Sequence, residues 1–164
     1  MPILPKETNI FPPDLLLQAP GENVDALWRV VYTKPRQEKS LARDLLLREI
    51  PFYLPLVLKL SRTSGRTIKS HVPVFAGYLF MLADEEQRVQ ALTSNRISRL
   101  IEVENGEQLR SELLQLQKLI ALDAPLTIER RLERVRLVRI KSGPMEGLEG
   151  TIASRRGKHF LLVA

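Results

Sequence analysis

The side chains of this chain whose type and spacing suit a chemical task are basic. Arg36, Lys39 and Arg43 repeat at helical spacing, with Lys34 just before them. Arg62, Arg66, Lys69 and His71 gather in and near a second short stretch. Guanidinium and ammonium groups clustered in this way can hold a phosphate backbone, a salt-dependent contact that carries little sequence information. Two plainer roles stay open: a solvated helix face for the first set and an ordinary charged loop for the second.

Catalytic chemistry finds little support. There are no cysteines, which excludes a disulfide framework, a Cys-ligated zinc site and a thiol nucleophile. The two histidines, His71 and His159, cannot make a His-rich metal site, and neither lies in a triad motif. Carboxylates are scattered among basic residues, so no pair stands out for acid–base work. No G-x-x-x-x-G-K-[ST] loop occurs. No catalytic residue, metal or cofactor is expected, and the chain is read as working by association.

Composition agrees. Of 164 residues 44% are hydrophobic, enough for a buried core. The net charge of +6 permits a polyanionic partner. No apolar run approaches the ~18 residues of a membrane-spanning helix. The N-terminus, broken by prolines and carrying Asp14, Glu22 and Asp25, is not a signal peptide. A cytoplasmic protein without membrane contact is expected.

The elements that must position these groups follow from periodicity. Residues 1–26 hold five prolines and read as a flexible extension, with Asp14 able to cap one short turn. Residues 27–33 are rich in β-branched and aromatic side chains and read as a strand, with Trp28, Val30 and Tyr32 on one face. Pro35 suits the start of a helix over 36–48, whose apolar residues are Leu41, Ala42, Leu45 and Leu46. A strand over 52–60 and a basic hairpin loop over 61–67 follow.

Residues 72–83 read as one central strand, with Gly77 marking a bulge or a close backbone approach. Phe75 and Tyr78, three apart on it, would face opposite sides, one in the core and one at the surface. Asp84 caps a helix over 85–93 that turns Val89 and Leu92 inward. A strand over 98–103 precedes the Asn105-Gly106 turn. A helix over 107–121 carries Leu109, Leu113, Leu116 and Ile120 on one stripe.

Residues 123–133 read as a linker. From Arg134 a strand, a loop rich in glycine and a return strand suggest a small β-barrel. The glycines of that loop serve a tight turn.

Two segments together carry a resemblance. Trp28 to Pro35, with Pro73-Val74-Phe75-Ala76-Gly77-Tyr78-Leu79-Phe80, resembles two strands of the NusG N-terminal domain. Val138 to Ile152 is similar to a KOW motif, through Lys141, Gly143, Pro144, Gly147 and Gly150. Both stand in the family's order.

The resemblance implies an α+β fold: an antiparallel sheet with flanking helices over 27–122, then a short, incomplete KOW-like barrel module over 134–164. It implies a transcription elongation or antitermination factor that binds bacterial RNA polymerase at the clamp helices and reduces pausing or termination. Tyr32, Phe75 and Tyr78 match the family's apolar polymerase patch. The basic sets would then lie near DNA at the transcription bubble, and the KOW segment would recruit a ribosome or a termination factor.

A specialised RfaH-type paralogue is preferred. Gln87-Arg88-Val89-Gln90 nevertheless replaces the His-Thr-Thr-like stretch of such paralogues, and Ser40, Asp44 and Leu47 replace their DNA-reading residues. The alternative is a KOW-containing ribosomal or other RNA-binding protein. The apolar residues of 134–164 outnumber what three strands can enclose. They are expected to pack on the N-terminal domain, on another copy, or on further residues downstream.

Overall fold

The computed structural model describes residues 6–18, 25–123, 136–155 and 158–162. The chain falls into two units, residues 1–109 and 110–164. That division comes before the linker expected at 123–133, of which residues 124–133 lie outside the described ones.

In the first unit β1 (Ile10–Phe11), β2 (Leu27–Thr33), β3 (Phe52–Tyr53), the later β6 (Tyr78–Ala83) and β7 (Ile97–Glu102) form one antiparallel sheet. Its strand order is β1-β3-β6-β2-β7. The helix α1 (Glu38–Leu47) buries Leu41, Ala42 and Leu45, the spacing of one helix face. These residues join Val31, Phe52, Leu79, Met81 and Ala83 in the core. Alternation along the strands puts those sheet residues on one face, so the core lies between that face and α1. The other face carries Trp28, Val30, Tyr32, Tyr53, Tyr78, Phe80 and Ile101, as the registers require.

Several expectations are corrected. The helix starts at Glu38 and not at Arg36, because Arg36 adopts φ 58° and keeps the Lys34–Gln37 segment as a turn. The strand expected over 52–60 breaks at Leu54-Pro55, where proline lacks the N–H a central ladder needs. Beyond the break, β4 (Leu56–Thr63) leaves the sheet and pairs with β5 (Arg66–Pro73) as a separate ribbon. The basic loop expected over 61–67 is therefore mostly strand, closed by Ser64-Gly65.

The single strand expected over 72–83 is likewise two strands, β5 and β6, interrupted at residues 74–77. Phe75 thus lies in the connecting turn, not on a strand opposite Tyr78.

The helix α2 (Glu85–Leu92) starts on a capping box: the Asp84 side chain accepts from the Gln87 N–H, and the Gln87 side chain accepts from the Asp84 N–H. It meets the core through Ala91, and the expected inward residues Val89 and Leu92 are exposed. A short helix approaches a sheet most closely on its smallest side chain. Residues one and two positions away then point elsewhere at 100° per residue.

The N-terminal stretch is also corrected between residues 6 and 18. β1 pairs with β3, Phe11 packs against the core, and Leu15 and Leu16 are buried. Prolines disfavour helices and central strands, yet a two-residue edge strand needs little backbone pairing.

The helix α3 (Gly106–Ala121) follows a turn in which Asn105 Oδ1 accepts from the Gln108 N–H. Of the expected stripe, Leu113 is buried and Leu109, Leu116 and Ile120 are half-buried, while Leu119 is buried in addition.

The second unit contains β8 (Arg136–Arg139), β9 (Glu149–Arg155) and β10 (Lys158–Leu162), an antiparallel meander with β9 in the middle. The turn from 140 to 148 is closed by backbone bonds from Gly147 N to Ile140 O and from Ile140 N to Leu148 O, both 2.9 Å. Val135 lies outside the described residues.

Candidate interaction surface

The sheet face turned away from α1 is buried at Trp28, Tyr53 and Phe80, and its exposed end brings two sequence-predicted residues together. Tyr32 in β2 and Tyr78 in β6 are direct cross-strand partners. Their ring centroids are 5.1 Å apart with the planes tilted by 40°, within the range of favourable aromatic pairs. Both are exposed, at 42% and 37% of their surfaces. Val30 and Ile101, in register beside them, extend the apolar patch, and Arg99 lies opposite Tyr32 on β7.

The third predicted residue, Phe75, stands in the turn before Tyr78. It is half-buried and meets Phe80 edge-on, with centroids 6.0 Å apart and planes at 83°. It therefore borders the patch through Phe80, which is in register with Val30.

This arrangement depends on the 74–77 turn. Gly77 has φ 85°, a conformation side-chain-bearing residues rarely adopt. The Tyr32 ring occupies the space a Gly77 side chain would take. The Gly77 N–H donates to Glu38 Oε1 at 2.7 Å, and its carbonyl accepts from the Thr33 N–H at 2.8 Å. The first residue of α1 and the end of β2 thus fix the turn that carries the aromatic pair.

A family model described as transcription termination factor nusG matches residues 26–117, the span containing all three aromatic residues. The chain belongs to the NusG family. This is a family of transcription factors and not of enzymes. No curated protein matches the sequence. A solved structure described as "Domain interaction in Thermotoga maritima NusG" is similar over 79% of this chain and 80% of its own, with 18% identity and a TM-score of 0.37.

In this NusG-family chain the two basic sets differ. The first does not form one helix face. Only Lys39 and Arg43 are on α1. Lys34 Nζ donates to Asn95 Oδ1 at 2.8 Å, and Arg43 donates to both carboxylate oxygens of Glu7 at 3.0 and 3.1 Å. Lys39 is half-buried and Arg36 is exposed in the turn before the helix. The second set, Arg62, Arg66 and Lys69, is exposed along the β4–β5 ribbon, with His71 half-buried nearer its root.

The KOW-like residues Lys141, Gly143, Pro144 and Gly147 are exposed in the turn of the second unit, and Gly150 is buried in β9. Gly143 and Gly147 both have positive φ, consistent with a tight turn.

Three contributors escaped the sequence reading. Glu38 gave no signal apart from its place near a helix start. Val30 shares a face with Trp28 and Tyr32 by alternation, but nothing in its type marks it as part of the patch. Arg96, just before β7, ties that strand to α1 and the turn preceding it, donating to Asp44 Oδ2 and Gln37 Oε1, each at 2.6 Å. Among the described residues no helix is long and apolar enough to cross a membrane.

Proposed function

We propose that this NusG-family chain is a transcription elongation or antitermination factor that binds bacterial RNA polymerase and reduces pausing or termination. The observation that carries this reading is the exposed Tyr32–Tyr78 pair braced by Gly77 and Glu38. Exposed, pre-positioned aromatics are the usual anchors of a protein interface. The polymerase clamp helices are the proposed partner, met by Tyr32, Tyr78 and the exposed part of Phe75.

Such a factor performs no chemistry. It favours the closed, pause-resistant polymerase by binding that state more tightly than the open one. The basic ribbon, with Arg62, Arg66 and Lys69, then faces DNA near the transcription bubble. Lys34, Arg36, Lys39 and Arg43 are a weaker candidate for that role, since Lys34 and Arg43 already hold partners. The segment around Lys141, Gly143, Pro144, Gly147 and Gly150 is proposed as a KOW module that engages a ribosome or a termination factor. The proposed site of action is the cytoplasm.

The test uses the full chain with Tyr32→Ala and Tyr78→Ala together. Loss of two interface anchors is expected to weaken polymerase binding by at least about 2 kcal/mol. Circular dichroism checks that the variant is folded. A folded double variant that co-elutes with polymerase as well as the unaltered chain overturns the reading.

A further inference from the structure

The β4–β5 ribbon is built as an independent projection. Eight register pairs run from Leu56↔Pro73 to Thr63↔Arg66, and the ribbon pairs with no other strand among the described residues. Ser64 and Gly65 both have positive φ, 50° and 76°, the backbone of a two-residue turn whose twist matches that of the strands. Leu56 at the root is buried, whereas Leu58, Leu60 and Ile68 further out are exposed.

Strand alternation divides the side chains between two faces. Leu58, Leu60 and Arg62 share one face with their partners His71, Lys69 and Thr67. Lys59, Ser61 and Thr63 share the other with Ser70, Ile68 and Arg66. Each face therefore carries two cations. No Asp or Glu occurs from residue 56 to residue 73. Among the described residues no ion pair engages Lys59, Arg62, Arg66 or Lys69, whereas Arg29, Arg43, Arg88 and Arg96 all have carboxylate partners.

We infer that this ribbon enters the major groove of duplex DNA, with Arg62 and Arg66 leading and Lys59 and Lys69 against the phosphates at the rim. The inference rests on the reading that the protein works beside DNA held by polymerase, and it names the form of nucleic acid. Cations on both faces fit a slot with anions on both walls. A flat protein partner would cover only one face. The major groove of B-DNA, about 12 Å wide, admits a two-stranded ribbon. Lys59 and Lys69 lie about three residues back from the arginines, roughly 10 Å at strand rise, close to the groove depth of about 8.5 Å.

The composition also excludes other nucleic acids. Single strands are held by stacking on aromatic rings, and residues 56–73 contain no Phe, Tyr or Trp. The major groove of an RNA duplex is too deep and narrow for side chains to read. Ser61, Thr63 and Thr67 offer hydroxyls for phosphate oxygens, and Leu60 and Ile68 offer apolar contact to thymine methyls.

The experiment measures binding of the free full chain, without polymerase, by fluorescence anisotropy. The probes are a labelled DNA duplex of about 20 base pairs, one of its strands, and the corresponding RNA duplex, all at one salt concentration. The DNA duplex is expected to bind at least about tenfold tighter than either alternative. Arg62→Ser with Arg66→Ser is expected to weaken duplex binding at least about tenfold, and, over a salt series with the DNA duplex, Lys59→Ser with Lys69→Ser is expected to reduce the salt slope by about 2. Methyl green, which occupies the major groove, should displace the protein, and netropsin, which fills the minor groove, should not.

Equal or tighter binding of the single strand or of the RNA duplex overturns the inference. So does displacement by netropsin alone, or a folded Arg62→Ser/Arg66→Ser chain that binds duplex DNA like the unaltered one. Co-elution of that variant with polymerase separates the two ideas. If co-elution persists while the DNA preference is absent, the ribbon inference fails and the polymerase reading stands.

Discussion

The ring of Tyr32 rests against Gly77: a Cβ on Gly77 would come within 3.1 Å of Tyr32 Cε2. One residue later Tyr78 begins β6 and pairs with the same ring. The glycine thus sets the position of both tyrosines, through the space it leaves and through a backbone conformation at φ 85°.

Gly77→Ala tests this directly. The left-handed backbone costs alanine about 1–2 kcal/mol, and the added methyl pushes the Tyr32 ring aside. Urea denaturation should show a loss of that size, and polymerase affinity should fall although no proposed contact residue has been changed. A variant with unaltered stability and affinity would show that the turn does not position the pair.

Thr33, next in sequence to Tyr32, has a buried hydroxyl that lacks a hydrogen-bond partner among the described residues. Its backbone N–H is satisfied by Gly77. A buried hydroxyl without a partner costs free energy, and a methyl of the same shape does not. Thr33→Val is expected to stabilise the fold by about 1 kcal/mol, read as a higher urea midpoint with an unchanged m-value. A lower midpoint would mean that the hydroxyl has a use in the folded chain.

What the sequence revealed divides along physical lines. Strand β2, helix α1 and the Asp84 cap are local features, set by propensity and period over seven to ten residues, and they were legible apart from their ends. The two aromatic partners Tyr32 and Tyr78 came from motif resemblance, and their stacking is a product of β2–β6 register, which no local pattern encodes. The split of 72–83 was hidden because Val72 to Ala83 is almost uniformly apolar. Pro73, where β5 ends, and Gly77 are its two signals, and a glycine within an apolar run marks a bulge as readily as a chain break. Glu38 could not be found at all: its role is a hydrogen bond to a residue 39 positions away.

The pH dependence of stability offers a separate check through Tyr53. This ring, on β3 between β1 and β6, is buried on the sheet face turned away from α1, and burial pushes its phenol well above the ordinary value near 10. The folded state therefore keeps the proton at a pH where the unfolded chain releases it. The neutral phenol's contribution is complete below pH 10 and declines as pH rises above it, by up to about 1.4 kcal/mol per pH unit. Tyr53→Phe should remove that part of the alkaline loss while leaving stability near pH 7 much less affected. Parallel alkaline slopes for the two proteins between pH 10 and 11.5 would refute this account.

The N-terminal stretch supplies the last prediction. Three features hold residues 6–18 to the sheet. Glu7 pairs with Arg43, Asn9 exchanges hydrogen bonds with the Leu54 backbone, and Leu15 and Leu16 are buried. Their magnitudes differ. An exposed ion pair contributes about 0–1 kcal/mol, whereas truncating one buried leucine costs about 2–5 kcal/mol. Burial should therefore dominate. Glu7→Ala is expected to change stability by less than about 1 kcal/mol, and Leu15→Ala with Leu16→Ala to lower it by at least about 3 kcal/mol. Urea denaturation of the full chain and the two variants makes the comparison. Equal, small losses in both variants would mean that the stretch is an appendage to the sheet, as its prolines and acidic residues first suggest, and not part of its folded edge.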